Sequence, residues 1–233
     1  MNMNFKTVNI KDISLEQLEK LNIKCINCNY WFDTENTNFI EELCKNRDVW
    51  NLLKSKIFER RNKNSRRKIF CFKQSGGRIK GAFSGKECAG IILSGKYYLF
   101  PKLKSFKVYP PDSEGMFLGC LYVVPEYRDM DVEKRMLMAL EKDLIDERIK
   151  FIETVGERLS DDTSKDKYEK SHLIPVKFLI KNGFYIIKND RYFPLLRLDL
   201  KTIVTDFAKS KLLSVRDISL KKKVRSPAMI KKN

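Results

Sequence analysis

Histidine is almost absent from this chain, with His172 the single one, and there are only six cysteines among 233 residues. A structural zinc site needs four ligands at paired spacings, and no second pair follows the one C-x-x-C, Cys25 and Cys28. The sequence therefore predicts no bound metal. Few cysteines, many lysines and no secretory leader favour a reducing compartment, in which the cysteines are buried or half-buried thiols.

Long apolar runs are also missing. The longest uninterrupted runs cover only a few residues, far fewer than the roughly 18 that a membrane helix requires. The first residues, MNMNFKTVNIKD, lack the apolar segment of a secretion signal. We therefore expect a cytoplasmic protein without a membrane partner, and the length favours one domain with an appendage.

The net charge of +17 is concentrated in two segments. Residues 54–68 carry eight basic and one acidic side chain, and residues 201–233 carry ten basic and two acidic ones. Surfaces that stack nucleic-acid bases interleave aromatic and cationic side chains, and aromatics are scarce in both segments. Solvated charged faces explain the charge better, and a nucleic-acid partner remains an alternative.

The order of predicted elements indicates an α/β (α+β) protein. Residues 14–21 have the pattern of a short helix with a serine cap, and residues 37–61 that of one or two helices. Helical patterns return at 131–148 and 174–182, the second with Gly183 as a left-handed cap, and Asn189-Asp190 indicates a hairpin turn. Between them are short β-rich runs, namely KIFCFKQ, ECAGIILS, GMFLGCLYVV, KFIETVG, FYIIKN and YFPLLRLDL.

Two motifs at this spacing, LYVVPEYRDMDVEKRMLMALEKDL and PVKFLIKNGF, resemble the GNAT acyltransferase family. The resemblance covers about residues 68–201. It implies a mixed, mostly antiparallel central sheet flanked by helices. We expect an N-terminal helical part at 1–66, a GNAT-like core at 67–201 and a basic extension at 202–233.

The resemblance also implies acetyl-CoA as co-substrate. In that fold the pantetheine arm lies between two parted strands and the pyrophosphate binds N–H groups at the start of a helix. The helix dipole and the free N–H groups there favour an anion. By position, the backbone of Tyr122, Val123 and Val124 would hold the arm. The pyrophosphate cradle would be Arg128, Asp129, Met130, Asp131, Val132, Glu133 and Lys134.

The loop departs from the family pattern, because Asp129, Asp131 and Glu133 stand where relatives have glycine or alanine. A carboxylate about 6 Å from a phosphate charge costs roughly 0.7 kcal/mol in water and about 3 kcal/mol at an effective dielectric constant of 20. Aspartate is also a preferred helix cap, and first-turn carboxylates interact well with the dipole. The acids therefore indicate a weakened or altered donor site, or a domain that has lost the reaction.

The candidate catalytic residues are few. Glu153 is the first candidate for a general base, with an ion-pair role as its alternative. Many relatives carry a proton-donating tyrosine where this chain has Leu179, so Tyr168 and Tyr122 are the replacements to consider. We expect His172 to be a cap or surface residue. A cluster of four residues would line an acceptor pocket or pack in the core: Cys28, Tyr30, Trp31 and Phe32.

Three functions follow from the sequence. The first is an N-acyltransferase that moves an acetyl group from acetyl-CoA to the amine of a small-molecule or peptide acceptor. The second is a GNAT-like domain without catalysis that binds a partner or a regulatory ligand. The third is a nucleic-acid-associated protein that uses the two basic segments. Neither the acceptor nor the oligomeric state is specified by any motif.

Overall fold

The computed structural model describes residues 7–21, 23–32, 65–159 and 171–200. The chain begins with strand β1 (Asn9–Asp12) and helix α1 (Leu15–Lys20). The Ser14 hydroxyl accepts a hydrogen bond from the Gln17 N–H, and the Gln17 side chain accepts one from the Ser14 N–H. This capping box confirms the predicted helix at 14–21. The helices predicted at 37–61 lie outside the described residues.

The other elements follow in chain order. They are α2 (Ser65–Gln74), β2 (Arg78–Ser84), β3 (Glu87–Gly95), β4 (Met116–Val123), α3 (Val132–Asp146), β5 (Phe151–Glu157), β6 (Ile174–Pro175), α4 (Val176–Lys181), β7 (Tyr185–Lys188) and β8 (Leu195–Asp199). Short 3₁₀ helices lie at Lys24–Ile26, Tyr30–Phe32, Tyr97–Leu99, Pro101–Ser105 and Pro125–Tyr127. Helices α3 and α4 confirm the helical patterns at 131–148 and 174–182.

Within the described residues, eight strands form one sheet in the order β1-β2-β3-β4-β5-β8-β7, with β6 beside β5. Neighbours are antiparallel except for the pairs β4–β5 and β5–β6, which are parallel. Helices cover both faces, and the predicted mixed, mostly antiparallel α/β class is confirmed.

Each face of the sheet has its own core. On one face, α3 buries Val132, Met136, Leu140 and Leu144, the four-residue spacing of its apolar stripe. On the other face, α1, α2 and the 3₁₀ turns pack around an aromatic cluster. Its members are Trp31, Phe32, Phe72, Phe100 and Phe117, with ring centroids 5.0–6.4 Å apart in the contacting pairs.

The end of α4 has the predicted glycine cap. Gly183 has φ +88°, which glycine adopts without the steric cost of a Cβ. The Gly183 N–H donates to the Ile180 carbonyl and the Phe184 N–H to the Leu179 carbonyl, each at 3.1 Å. These two bonds form a Schellman motif and turn the chain back into the sheet.

One predicted element is wrong, and one is confirmed with a longer connection. The run KIFCFKQ is part of α2 and not a strand: Ile69 and Phe72, three residues apart, reach the same core, and a short apolar run has no period that separates the two structures. The hairpin turn predicted at Asn189-Asp190 is confirmed, because β7 and β8 pair antiparallel, but the connection spans six residues and not two. Within it, Asp190 Oδ1 accepts the N–H groups of Tyr192 (2.9 Å) and Phe193 (2.8 Å) in a local turn.

The cysteines are mostly as predicted. Cys25, Cys28, Cys88 and Cys120 are free thiols, but Cys71 is disulfide-bonded, so the expectation is wrong there. In the part of the chain that the structure describes, no three His, Cys, Asp or Glu side chains are grouped to hold a metal ion. Among the described helices, none has both the length and the apolar character needed to cross a membrane.

Candidate functional site

Strands β4 and β5 part soon after they meet. They pair only at Met116 with Ile152 and Phe117 with Glu153, and the last link is the Thr154 hydroxyl, which donates to the Leu118 carbonyl at 2.7 Å. Beyond that point β4 continues along β3, whereas β5 continues along β8 and takes β6 as its other neighbour. One edge of β4 therefore faces an open gap.

A β-bulge at Gly119 starts the divergence. Leu93 pairs with Cys120 and the next residue, Ser94, pairs with Leu118, so Gly119 is an extra residue on β4. A Cβ at Gly119 would lie 2.2 Å from Cε1 of Phe100, so the close packing of that ring requires glycine. The Trp31 indole N–H donates to the Gly119 carbonyl at 2.5 Å. The bend of β4 is thus held by two aromatic side chains.

Beyond the bulge, the backbone groups of β4 alternate between β3 and the gap. The Val124 N–H donates to the Ala89 carbonyl on the β3 side at 2.9 Å, and the Val123 carbonyl accepts from Arg128 Nε on the other side at 3.2 Å. Because successive strand residues point to opposite neighbours, Leu121 and Val123 present their N–H and C=O groups to the gap. The backbone groups of Tyr122 and Val124, which the resemblance assigns to the pantetheine arm, instead make hydrogen bonds within the protein.

A cleft occupies this gap, with about 820 Å³ of space including its open mouth. Its lining comes from β4 between Cys120 and Val123, from the 3₁₀ turns within residues 24–32 and from the segment before α4. Arg128 and Glu133 complete the lining. The four residues predicted to line an acceptor pocket or to pack in the core border this cleft, and Trp31 and Phe32 also belong to the buried core: Cys28, Tyr30, Trp31 and Phe32.

The loop before α3 has two residues in the left-handed backbone region that glycine usually occupies, although it contains no glycine. Asp129 (φ +60°) and Asp131 (φ +55°) are both left-handed, a region that aspartate tolerates better than most residues. Both are exposed, as are Met130 and Lys134, whereas Val132 is buried in the core. Asp131 occupies the N-cap position of α3, but its side chain makes no capping bond. Within the described chain, the N–H groups of residues 129–134 donate to no backbone carbonyl.

Glu133 is the acid that matters in the cleft. Its side chain is half-buried, and burial raises the pKa of Glu133, with the neighbouring Asp129 and Asp131 carboxylates adding to the increase. The carboxylate accepts the N–H of its own residue, and the Arg128 guanidinium opposes the pKa increase. The Arg128 guanidinium and the Glu133 carboxylate therefore lie close together at the N-terminal end of α3.

Glu153, the first candidate for a general base, is committed to an ion pair. It is 1% exposed, and its Oε1 accepts Nε (2.9 Å) and Nη2 (2.5 Å) of Arg197. Its Oε2 accepts the Asp112 N–H at 2.7 Å. It does not line the cleft. A catalytic role for Glu153 stays a prediction, and this geometry favours its ion-pair alternative.

The two tyrosine candidates differ. Tyr168 lies outside the described residues. The Tyr122 side chain lines the cleft, because the bulge turns it toward the 3₁₀ turns together with Cys120. Leu179 is fully buried in the other core, so the position that relatives fill with tyrosine offers no proton donor here.

The structure brings together Cys28 and His172, which no sequence motif connects. Cys28 Sγ lies 3.6 Å from Nδ1 of His172, although 144 positions separate them. The His172 ring stacks on Tyr30, with centroids 4.7 Å apart. His172 was predicted to be a cap or surface residue, and it is exposed, but it stands in the cleft wall. No local pattern signals such a pair, because it depends on the approach of two distant segments.

Comparison with known proteins gives acetyltransferase structures. No protein-family model matches the chain, and no curated protein matches it in sequence. Similar solved structures include PaiA N-acetyltransferase from Thermoplasma acidophilum in complex with coenzyme A (18% identity, 83% of this chain, 99% of that chain, TM-score 0.48). An acetyltransferase from Thermus thermophilus (11%, 83%, 97%, 0.47) and a GNAT-family acetyltransferase from Staphylococcus aureus (17%, 83%, 99%, 0.42) are also similar. Likeness at this level transfers no activity to this chain.

Proposed function

We propose that this protein is an N-acyltransferase that moves an acetyl group from acetyl-CoA to an amine of a small-molecule or peptide acceptor. The observation that carries the proposal is the parting of β4 from β5 beside the first turn of α3. It places the outer edge of β4 and the start of α3, through Arg128 and Glu133, along one cleft. An extended amide chain that ends in a pyrophosphate matches both features.

The arm of acetyl-CoA would bind as an added strand. Its two amides would pair with the gap-facing backbone groups of Leu121 and Val123, in place of the predicted Tyr122 and Val124. One of these N–H groups would also stabilise the oxyanion that forms when the amine attacks the thioester carbonyl. The Tyr122 side chain, which lines the same cleft, would return a proton to the departing CoA sulfur.

The pyrophosphate would bind N–H groups from residues 129–132 and 134 at the positive end of α3, because the Glu133 N–H already donates to its own carboxylate. Asp129 and Asp131 are exposed, so solvent and salt screen their carboxylates. Arg128 supplies a cation in the cleft, and Glu133 opposes it. The backbone thus fits the ligand while one carboxylate weakens it, which favours a functional but low-affinity donor site.

Isothermal titration with acetyl-CoA tests the proposal. We expect saturable binding, weakened about tenfold or more by Arg128→Ala, because a charge-assisted hydrogen bond contributes about 1.5–3 kcal/mol. The matched control is Arg191→Ala, since Arg191 is exposed and rests on Tyr192 away from the cleft. Absence of binding at millimolar acetyl-CoA, with the protein folded by circular dichroism, would overturn the donor site.

Binding without turnover is the second candidate function. The commitment of Glu153 to Arg197 and the burial of Leu179 favour it, because both remove groups that a proton-transfer step would use. A screen of amines for release of the free CoA thiol separates the two functions: it is positive for a transferase and silent for a binding domain.

The nucleic-acid alternative has no supporting observation, since its two basic segments lie almost wholly outside the described residues.

A further inference from the structure

The cleft contains a nucleophile beside a base. Cys28 Sγ and His172 Nδ1, 3.6 Å apart, are within hydrogen-bonding distance for a thiol, and both line the cleft that the free edge of β4 borders. The Tyr30 ring, stacked on His172 with an interplanar angle of 22°, fixes the orientation of the imidazole. A nucleophile, a base in contact with it and a third group that orients the base are the arrangement of covalent acyl transfer.

We propose that Cys28 itself accepts the acyl group, as a covalent S-acyl enzyme, with His172 receiving the thiol proton. The inference rests on the proposed function, because the acyl group comes from acetyl-CoA. It changes the reaction from direct transfer to one in two steps. The final acceptor then reacts with the protein and not with acetyl-CoA.

The first step exchanges one thioester for another. The Cys28 sulfur attacks the thioester carbonyl carbon, and its proton passes to Nδ1 of His172. The bond from that carbon to the CoA sulfur breaks, and His172 gives the proton to the leaving thiolate, a role that Tyr122 would have in direct transfer. In the second step the acceptor amine attacks the S-acyl carbonyl carbon, an amide forms and the bond from that carbon to Cys28 Sγ breaks. The proton lost by the amine passes through His172 to Sγ, which restores the Cys28 thiol. Neither step requires an oxidant or a reductant.

The electrostatics of the pair suit general-base catalysis. Burial raises the pKa of the Cys28 thiol. His172 is exposed to solvent on one side, and its partial burial in the cleft wall, then the nearby Lys24, lower its pKa, while Glu157 opposes the shift. Both shifts favour the neutral pair, so at neutral pH the thiol keeps its proton and the imidazole is free to accept it. Burial also raises the pKa of Tyr30 to about 12, so its ring stacks as a neutral phenol.

The other free thiols lack this environment. Cys25 and Cys120 contact each other with a sulfur–sulfur distance of 3.4 Å, and the hydrogen bond from Cys120, then burial, raises the pKa of Cys25 well above its usual range. Cys88, half-buried like Cys28, donates to the Gly90 carbonyl at 3.4 Å and lies outside the cleft. Among the described free thiols, only Cys28 contacts an imidazole.

Mass spectrometry of the intact full chain tests the proposal. Incubation with acetyl-CoA, without an amine acceptor, and acid quenching should give one acetyl adduct that hydroxylamine removes and that maps to Cys28. Cys28→Ala should lose the adduct, and the matched control Cys88→Ala should retain it. His172→Gln should slow adduct formation about 100-fold, the usual contribution of a general base, while the affinity for acetyl-CoA measured by titration stays unchanged.

A truncated thioester, the acetyl ester of N-acetylcysteamine, separates this proposal from the donor site because it has no nucleotide. If acetyl-CoA does not bind but the truncated thioester acylates Cys28 in a His172-dependent way, the thiol proposal stands and the donor site fails. If acetyl-CoA binds and no hydroxylamine-labile adduct forms at Cys28, or Cys28→Ala is labelled equally, the thiol proposal is overturned.

Discussion

The substitution Glu133→Gln tests the electrostatics of the donor site most directly. Glu133 is the only acid among the described residues that line the cleft, and it belongs to the first turn of α3, where the pyrophosphate would bind. The amide keeps the size of the side chain and removes the negative charge. If a ligand phosphate lies there, removal of the charge must strengthen binding.

The magnitude follows from the position of the side chain. A residue in the first turn places its carboxylate about 6 Å from an anion at the helix start. The repulsion at that distance is about 0.7 kcal/mol at the dielectric constant of water and about 2.8 kcal/mol at an effective value of 20. A half-buried carboxylate lies between these limits. We therefore expect Glu133→Gln to raise the affinity for acetyl-CoA about tenfold.

The matched control is Glu141→Gln on the same helix. Burial raises the pKa of Glu141 as it does that of Glu133, but Glu141 lies about 12 Å further along α3 and outside the cleft. Titration with acetyl-CoA at low salt should show the gain for Glu133→Gln only. Equal affinities for the wild type and both variants, or a gain in Glu141→Gln alone, would refute the placement of the phosphate.

The same reasoning gives a pH dependence. Because the pKa of Glu133 is raised, its protonation begins at a higher pH than for an exposed glutamate, and a bound anion raises that pKa further. The repulsion is present above the pKa and is lost as the pH falls through it. The affinity of the wild type should therefore increase from pH 7 toward pH 5 more than that of Glu133→Gln, and parallel profiles would contradict this.

Three further predictions concern the frame of the site. Glu153→Gln should lower the free energy of unfolding in urea by about 3 kcal/mol, because it leaves Arg197 without its buried anionic partner. Loss of turnover at unchanged stability would instead support Glu153 as the general base. Asp131→Val should destabilise the protein by about 1–2 kcal/mol, because a β-branched residue does not tolerate φ +55°. Asp131→Gly should not destabilise it, and equal stability of the two variants would contradict the left-handed conformation. Gly119→Ala should cost about 1–3 kcal/mol in thermal unfolding, because its Cβ would overlap Phe100, and an unchanged melting temperature would show that the bulge adapts.

Helix α3 and the turn after α4 were predictable because local chemistry sets them. Apolar residues four apart, from Val132 to Leu144, bury one face of a helix wherever the sheet lies. Gly183 ends α4 because the left-handed turn needs a residue without a Cβ. Where the local pattern was short, as in KIFCFKQ, the packing of Ile69 and Phe72 determined the structure.

The loop before α3 shows where residue type alone misleads. An aspartate at a helix start predicts a capping bond, but Asp131 takes a left-handed conformation and makes none. The chain has to turn sharply from the 3₁₀ turn at Pro125–Tyr127 into α3, so Asp129 and Asp131 serve as backbone pivots. The sequence shows three acids in this segment, but the backbone turn decides where their side chains lie. It exposes Asp129 and Asp131 to solvent and leaves Glu133 in the cleft.

By itself the sequence determined the order of most elements and the apolar face of α3, because these depend on neighbours a few positions apart. Only the tertiary structure decided the chemistry of the cleft. The extra residue at Gly119 directs Tyr122 into it, Arg197 occupies Glu153, and distant segments bring Cys28 to His172. Strand register and side-chain pairing arise from contacts across the whole sheet, which no local pattern encodes.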